Sequence, residues 1–123
     1  MILKDFFLFF SRQQPELHAW VNPHTTYLVF LECVYHDHDV LLDLLVSNET
    51  HFLLYLLRYL KFVRRSWHQF AIQCGRQTDR VMTVMIRLRI AIDRLVSKNL
   101  FPYNITPILR LLEKCEELFE DGN

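Results

Sequence analysis

Residues 47–67 read S-N-E-T-H-F-L-L-Y-L-L-R-Y-L-K-F-V-R-R-S-W, and this stretch most limits what the chain can become. From position 52 to 63 only Arg58 and Lys61 interrupt an apolar run. With His51 and Arg65 they form one narrow polar stripe at spacings of seven, three and four. A helix apolar on nearly every other side is stable only when other helices wrap it. The run is also too short and too charged to cross a membrane, which takes about 20 apolar residues. The expectation is an all-α fold around a buried central helix, with Leu53, Leu56, Leu57, Leu60 and Val63 defining its core.

The rest of the chain fits that expectation. It has 123 residues, enough for one domain over 1–123 with one core. Half of the residues are hydrophobic and ten are Phe, which argues against disorder. Only Gly75 and Gly122 are glycines, too few for a strand-and-turn fold or a phosphate-cradling loop. The three cysteines, Cys33, Cys74 and Cys115, are far apart and each sits in an apolar helical pattern. They read as reduced core residues of an intracellular protein.

Helix signals recur along the chain. A first helix is expected over 2–13, ending before Pro15, followed by a loop or short turn over 15–21. Asn22-Pro23 is a helix start: the Asn side chain can cap orphan amides, and Pro suits the first helical position. Tyr27, Phe30, Leu31 and Val34 then form an apolar face. The pattern pauses at His36-Asp37-His38-Asp39, where either Asp can cap a short helix over 40–46. Ser47, Asn48 or Thr50 is expected to cap the next. The repeat Phe52, Leu56, Leu60, Val63, Trp67, Phe70, Cys74 predicts one long helix, bent near Ser66 and closed by Gly75.

Gln77 or Thr78 opens another helix, with a core stripe of Val81, Met85, Leu88, Ile92 and Leu95. It ends near Lys98-Asn99. Thr106-Pro107 repeats the cap-plus-proline start. Ile108, Leu112, Cys115 and Phe119 then face inward, beside Leu111 and Leu118. Five to six helices result, in a compact bundle or a helical-repeat, solenoid-like end piece. The apolar opening at Ile2-Leu3 and Phe6-Phe7 suggests part of a larger helical protein, its C-terminal part or a short isoform. It also leaves self-association through the first helix open.

Charge is zoned although the total is zero. Residues 1–49 carry seven acids and two bases, residues 50–98 two acids and ten bases, and residues 99–123 five acids and two bases. Basic helices packed beside acidic ones would neutralise this internally. A sharper pattern lies within it. Arg76, Arg80, Arg87, Arg94 and Lys98 follow at spacings of four, seven, seven and four, which sets them on one helical face. Arginine suits carboxylates and phosphates, so an acidic protein partner could dock there. A nucleic-acid partner fits less well, because the stripe lacks aromatic or glycine interleaving.

No chemistry-bearing motif appears. There is no P-loop, G-x-S-x-G or H-E-x-x-H. Cys33-x-x-His36-x-His38 is not a usual zinc spacing, and the acidic turn around it is explained by helix capping. His18, His24, His51 and His68 are scattered. A Cys74–His68 dyad is poor geometry on one helix, and a buried thiol is a poor nucleophile. The expectation is no enzyme, no catalytic or metal site, no cofactor and no membrane partner. Asn48-Glu49-Thr50 matches a glycosylation sequon but serves equally as a helix cap.

The run N-E-T-H-F-L-L-Y-L-L-R-Y-L-K-F-V-R-R-S-W, with the preceding D-H-D-V-L-L-D-L-L-V-S, resembles the C-terminal region of the Lines family over residues 35–67. The resemblance implies a non-enzymatic helical protein of cytoplasm and nucleus. Such a protein would act on transcription downstream of developmental signals, Wnt-type signalling among them, by binding other proteins. It transfers no catalytic residue. Two other readings stand beside it. One is a structural end-cap of a helical array without its own partner. The other is a basic-helix nucleic-acid binder.

Overall fold

The computed structural model describes residues 22–47 and 51–122. The expected first helix over 2–13, the loop over 15–21 and the sequon at 48–50 lie outside the described residues, and so does self-association through that helix. The described residues are all-α: α1 Pro23–Cys33, α2 His38–Val46, α3 Phe52–Arg65, α4 Trp67–Cys74, α5 Thr78–Ser97 and α6 Thr106–Asp121. A single 3-10 turn, Gly75–Gln77, joins α4 to α5.

The central element is α3. It packs most extensively on α6 and also meets α2 and α4, while α5 bridges α2 and α6. Leu56, Leu60 and Val63 are fully buried, and Leu53 and Leu57 are half-buried at the edge of the same cluster. Phe52, Tyr55 and Tyr59 complete the inward face. The wrapping is not complete. Leu54, Lys61, Arg64 and Arg65 remain exposed on the outer side. Each fully buried leucine contributes about 1.5–3 kcal/mol of transfer free energy, so this one face outweighs any local helix propensity.

Aromatic rings seat α1 on α3. The Tyr27 ring stacks on Tyr59 at 4.4 Å between centroids, and Phe30 lies 5.6 Å from Phe52. The α1 start behaves as its sequence demands: Asn22 Oδ1 accepts from the His24 N–H at 2.9 Å, and Pro23 occupies the first helical position. Asn22 Nδ2 also donates to Gln73 Oε1 at 2.9 Å, which ties this cap to the end of α4. Asp37 caps α2 by accepting from the Asp39 N–H at 2.9 Å.

Four local expectations need correction. Residues 52–74 form two helices rather than one bent helix, because Ser66 leaves helical geometry at φ −127°, ψ 45°. Its N–H is shared between the Phe62 and Val63 carbonyls, and α4 swings away so that Trp67 meets Phe70 and Phe119. The residue before α3 is His51, in a left-handed conformation and with no side-chain cap. The last helix is preceded by Ile105, buried in the core, while Asn104 Oδ1 accepts from the Thr106 N–H at 3.1 Å. Cys33 is exposed, whereas Cys74 and Cys115 are buried.

Gly75 is required where it stands. Its φ of 53° with ψ −120° is a conformation that L side chains rarely adopt, and it turns the chain from α4 into α5. The other end of α5 closes with Asn99 at φ 59°: the Leu100 N–H reaches the Leu95 carbonyl at 2.8 Å and the Asn99 N–H reaches Val96 at 3.0 Å. This is the Schellman pattern that satisfies the last helical carbonyls. The Tyr103 hydroxyl then donates to the Leu45 carbonyl, pinning the α5–α6 connection to the end of α2.

Leu60→Ala should destabilise the chain by about 2–5 kcal/mol, because the cavity forms at a fully buried position on the covered face of α3. Leu54→Ala, on the exposed side of the same helix, should change stability by about 0.5 kcal/mol or less. Urea unfolding followed by circular dichroism checks both, and equal losses would remove α3 from the centre of the core.

Candidate interaction surface

The cations of α5 divide into two groups with different fates. Arg89 points toward α6, where Nε and Nη2 form a fork on the Glu116 carboxylate, the latter at 3.2 Å. Its Nη1 donates to Asp93 at 2.8 Å. The hydrogen bond to Glu116 is the main reason its already high pKa is raised further. A forked arginine–carboxylate contact is directional as well as charged, so Arg89 clamps α5 to α6. Among the described residues, internal neutralisation of the α5 arginines is realised at Arg89.

Arg76, Arg80, Arg87, Arg94 and Lys98 are all exposed. None of them forms an ion pair among the described residues. Arg80, Arg87 and Arg94 lie on α5, Lys98 ends it, and Arg76 sits in the preceding 3-10 turn. From Arg80 to Lys98 the row is about 27 Å long at the rise of an α-helix. Their alignment comes from the burial of the opposite face: Val81, Met85, Leu88 and Ile92 are pulled into the core, which leaves the arginines outward. Leu95, expected in that stripe, is half-buried.

Leading into α2, which packs on α5, the α1–α2 turn presents a residue that sequence periodicity passed over. Tyr35 is 88% exposed, the most exposed large hydrophobic side chain described. Tyr35 and His36 have φ values of 58° and 53°. Left-handed geometry costs a non-glycine residue about 1–2 kcal/mol. The turn is nonetheless well tied: Tyr35 N–H donates to Glu32 at 3.0 Å, His36 N–H to Leu31 at 2.8 Å and Asp37 N–H to Val34 at 3.1 Å. Burial and then the nearby Arg80 charge lower the His36 pKa. The only sequence hint of this feature was the pause in apolar pattern at 36–39.

Other titratable groups lie in the core. His24, treated as scattered in sequence, is buried with Nδ1 2.9 Å from the Tyr59 hydroxyl and its ring stacked on Phe62. Its spacing of three from Tyr27, on the same inward face, was the signal for it. Its Nε2 is buried without a hydrogen-bond partner among the described residues. Burial lowers the His24 pKa below 6.5. Burial also raises the Cys74 thiol to about 11 and the Cys115 thiol to about 12, which keeps both neutral and unreactive. His38 Nε2 lies 3.4 Å from Asp39, and no group of three or more His, Cys, Asp or Glu converges among the described residues.

What the described residues define is an all-α module whose most distinctive surface is a continuous row of unpaired cations. The chain belongs to the Lines family. Residues 10–74 match the family model described as Lines N-terminus, and residues 81–117 match the one described as Lines C-terminus. Over 115 residues the chain is 54% identical to Protein lines of Drosophila melanogaster, covering 89% of this chain and 13% of that protein. It is 47% identical over 54 residues to Protein Lines homolog 1 of Homo sapiens, covering 44% of this chain and 7% of that protein. The Mus musculus protein of the same name is 42% identical over 67 residues, 48% of this chain and 9% of its own length. The chain thus spans a small part of the curated relatives it matches. No solved structure matches it.

The family is the one the sequence resemblance implied, but its region is corrected. Residues 35–67 fall wholly within the N-terminal match. The two matched segments pack against each other. α3 belongs to the first and α6 to the second, yet they form the most extensive helix pair of the fold. Arg76 and Arg80 lie in the short interval between the matches.

Two outcomes follow. First, the depressed pKa of His24 means that the unfolded chain binds more protons than the folded one below the unperturbed value of 6.5. Stability is therefore full above that pH and falls as pH drops through it toward the lowered folded value. His36 acts in the same direction. Thermal melts from about pH 7.5 to 5 should show this fall, and His24→Phe should flatten it. An unchanged slope in a folded variant would exclude His24 as its source. Second, a protease site inserted at Gln77 and cleaved in the folded chain should leave the two pieces associated until denaturant is added. Separation into two folded pieces under native conditions would refute a shared core.

Proposed function

We propose that this chain is a non-enzymatic protein-interaction module of a Lines-type regulator, and that it docks an acidic helical segment of a partner protein along α5. The observation that carries this reading is the exposed, ion-pair-free row of Arg76, Arg80, Arg87, Arg94 and Lys98. Unpaired arginines on a rigid helix retain their capacity for forked carboxylate contacts and need little ordering on binding. The seven-residue spacing from Arg80 to Arg94 suits a partner helix running alongside, with acids at matching intervals. We set this activity in developmental, segment-polarity or Wnt-type transcriptional signalling, in the cytoplasm and nucleus, as the family resemblance implies. The non-catalytic character is supported by two neutral, buried thiols and by the family itself.

Arg80→Glu, Arg87→Glu and Arg94→Glu together should leave helicity intact, because all three side chains are exposed. They should weaken partner binding by about a hundredfold or more, as each reversal replaces attraction by repulsion. A pull-down from nuclear and cytosolic extracts, wild type against the folded triple variant, reads this directly. A specific protein retained equally by both excludes the stripe. Steeply salt-dependent binding to duplex DNA in place of a protein would favour a nucleic-acid role.

A further inference from the structure

We propose that Tyr35 is the apolar anchor of the docking surface whose charged part is the α5 stripe, so that an acidic helix lying along the arginines ends with an apolar residue packed on the Tyr35 ring. This rests on the docking reading above and extends it to a second element, the α1–α2 turn. Three observations carry it.

The first is cost without structural return. Tyr35 occupies the left-handed position of a Schellman-type helix end, where glycine fits without strain, and asparagine serves at the equivalent position after α5. Its side chain is 88% exposed, so the ring supplies almost no core packing. A strained, exposed aromatic contributes to the molecule through what it contacts outside the fold.

The second is rigidity. Three successive backbone hydrogen bonds and the Asp37 cap hold the turn, so the ring is presented from a fixed base. Tyrosine on a fixed base loses little entropy on binding, and tyrosine and arginine are among the side chains that dominate interface energetics.

The third is place. The turn leads directly into α2, and α2 packs against α5, so the turn is carried beside the helix that bears the cation row. The acidic character of the occupant follows from the uncompensated cations, and the apolar end-contact from the ring. A membrane is a poor occupant, because a single tyrosine beside a linear arginine row offers no apolar helix face to insert.

The test uses the full chain and a fluorescent, stapled helical peptide with glutamates at heptad spacing and leucines at one end. Titrations compare wild type, Tyr35→Gly, Tyr35→Phe and the triple arginine reversal, each with its melting temperature. Tyr35→Gly should melt no lower than wild type, because strain is relieved, yet bind about tenfold more weakly. Tyr35→Phe should bind like wild type. If Tyr35→Gly binds like wild type while the arginine reversal does not, the anchor is refuted and the stripe stands. If Tyr35→Gly melts well below wild type, Tyr35 is a structural residue and the anchor is again refuted. If the wild type does not bind the peptide, or the arginine reversal binds as well as it does, the docking reading itself falls. Self-association of the chain with no peptide binding, seen by sedimentation, would assign the surface to a second copy instead.

Discussion

The structure depends on the burial of one helix face. Phe52, Tyr55, Leu56, Tyr59, Leu60 and Val63 present a continuous apolar surface that water cannot accommodate, and the other helices are positioned by covering it. Aromatic rings of α1 stack onto it, α6 lies along it, and α2 and α4 close its flanks. Because α6 comes from the far end of the chain, covering α3 also draws the α5–α6 segment against the first half. One consequence is the shared core of the two family segments. Another is that α5 is fixed with its apolar side inward and Arg80, Arg87 and Arg94 outward.

That arrangement separates charge by role. Arg89 is turned toward α6 and meets Glu116 and Asp93. The five cations of the outer row have no such partner among the described residues. The distinction follows from the angle at which each leaves one helix. Arg89 leaves it toward a neighbouring helix, and the row leaves it toward solvent. A charged row on a helix whose other side is anchored keeps a fixed geometry, which a flexible basic tail could not offer.

The polar groups inside the core have a different meaning. His24 and Tyr59 satisfy each other in the interface between α1 and α3, while the His24 Nε2 has no partner among the described residues. Cys74 and Cys115 behave as small apolar side chains whose thiols stay protonated. These groups make the core specific and, through His24, sensitive to acid.

The sequence by itself determined the all-helical class, the apolar faces, the Asn22-Pro23 start, the Gly75 stop and the alignment of the arginines. All are properties of local spacing or of one residue's backbone preference, so they can be read along the chain. The family could also be read there, from a run of residues too particular for a generic leucine-rich helix. Tertiary structure alone decided the rest. The break at Ser66 lets Trp67 reach Phe119, a contact invisible in the periodicity of residues 52–74. Cys33 is left outside because no described helix covers that side of α1, although its local pattern matches that of Cys74. Leu53 and Leu57 reach only the edge of the core, because apolar pattern cannot tell which flank of a nearly all-apolar helix will be covered. The exposure of the arginine row and of Tyr35 was likewise decided by packing. A side chain's spacing fixes its neighbours on its own helix, and only the partner helices fix whether it meets protein or water.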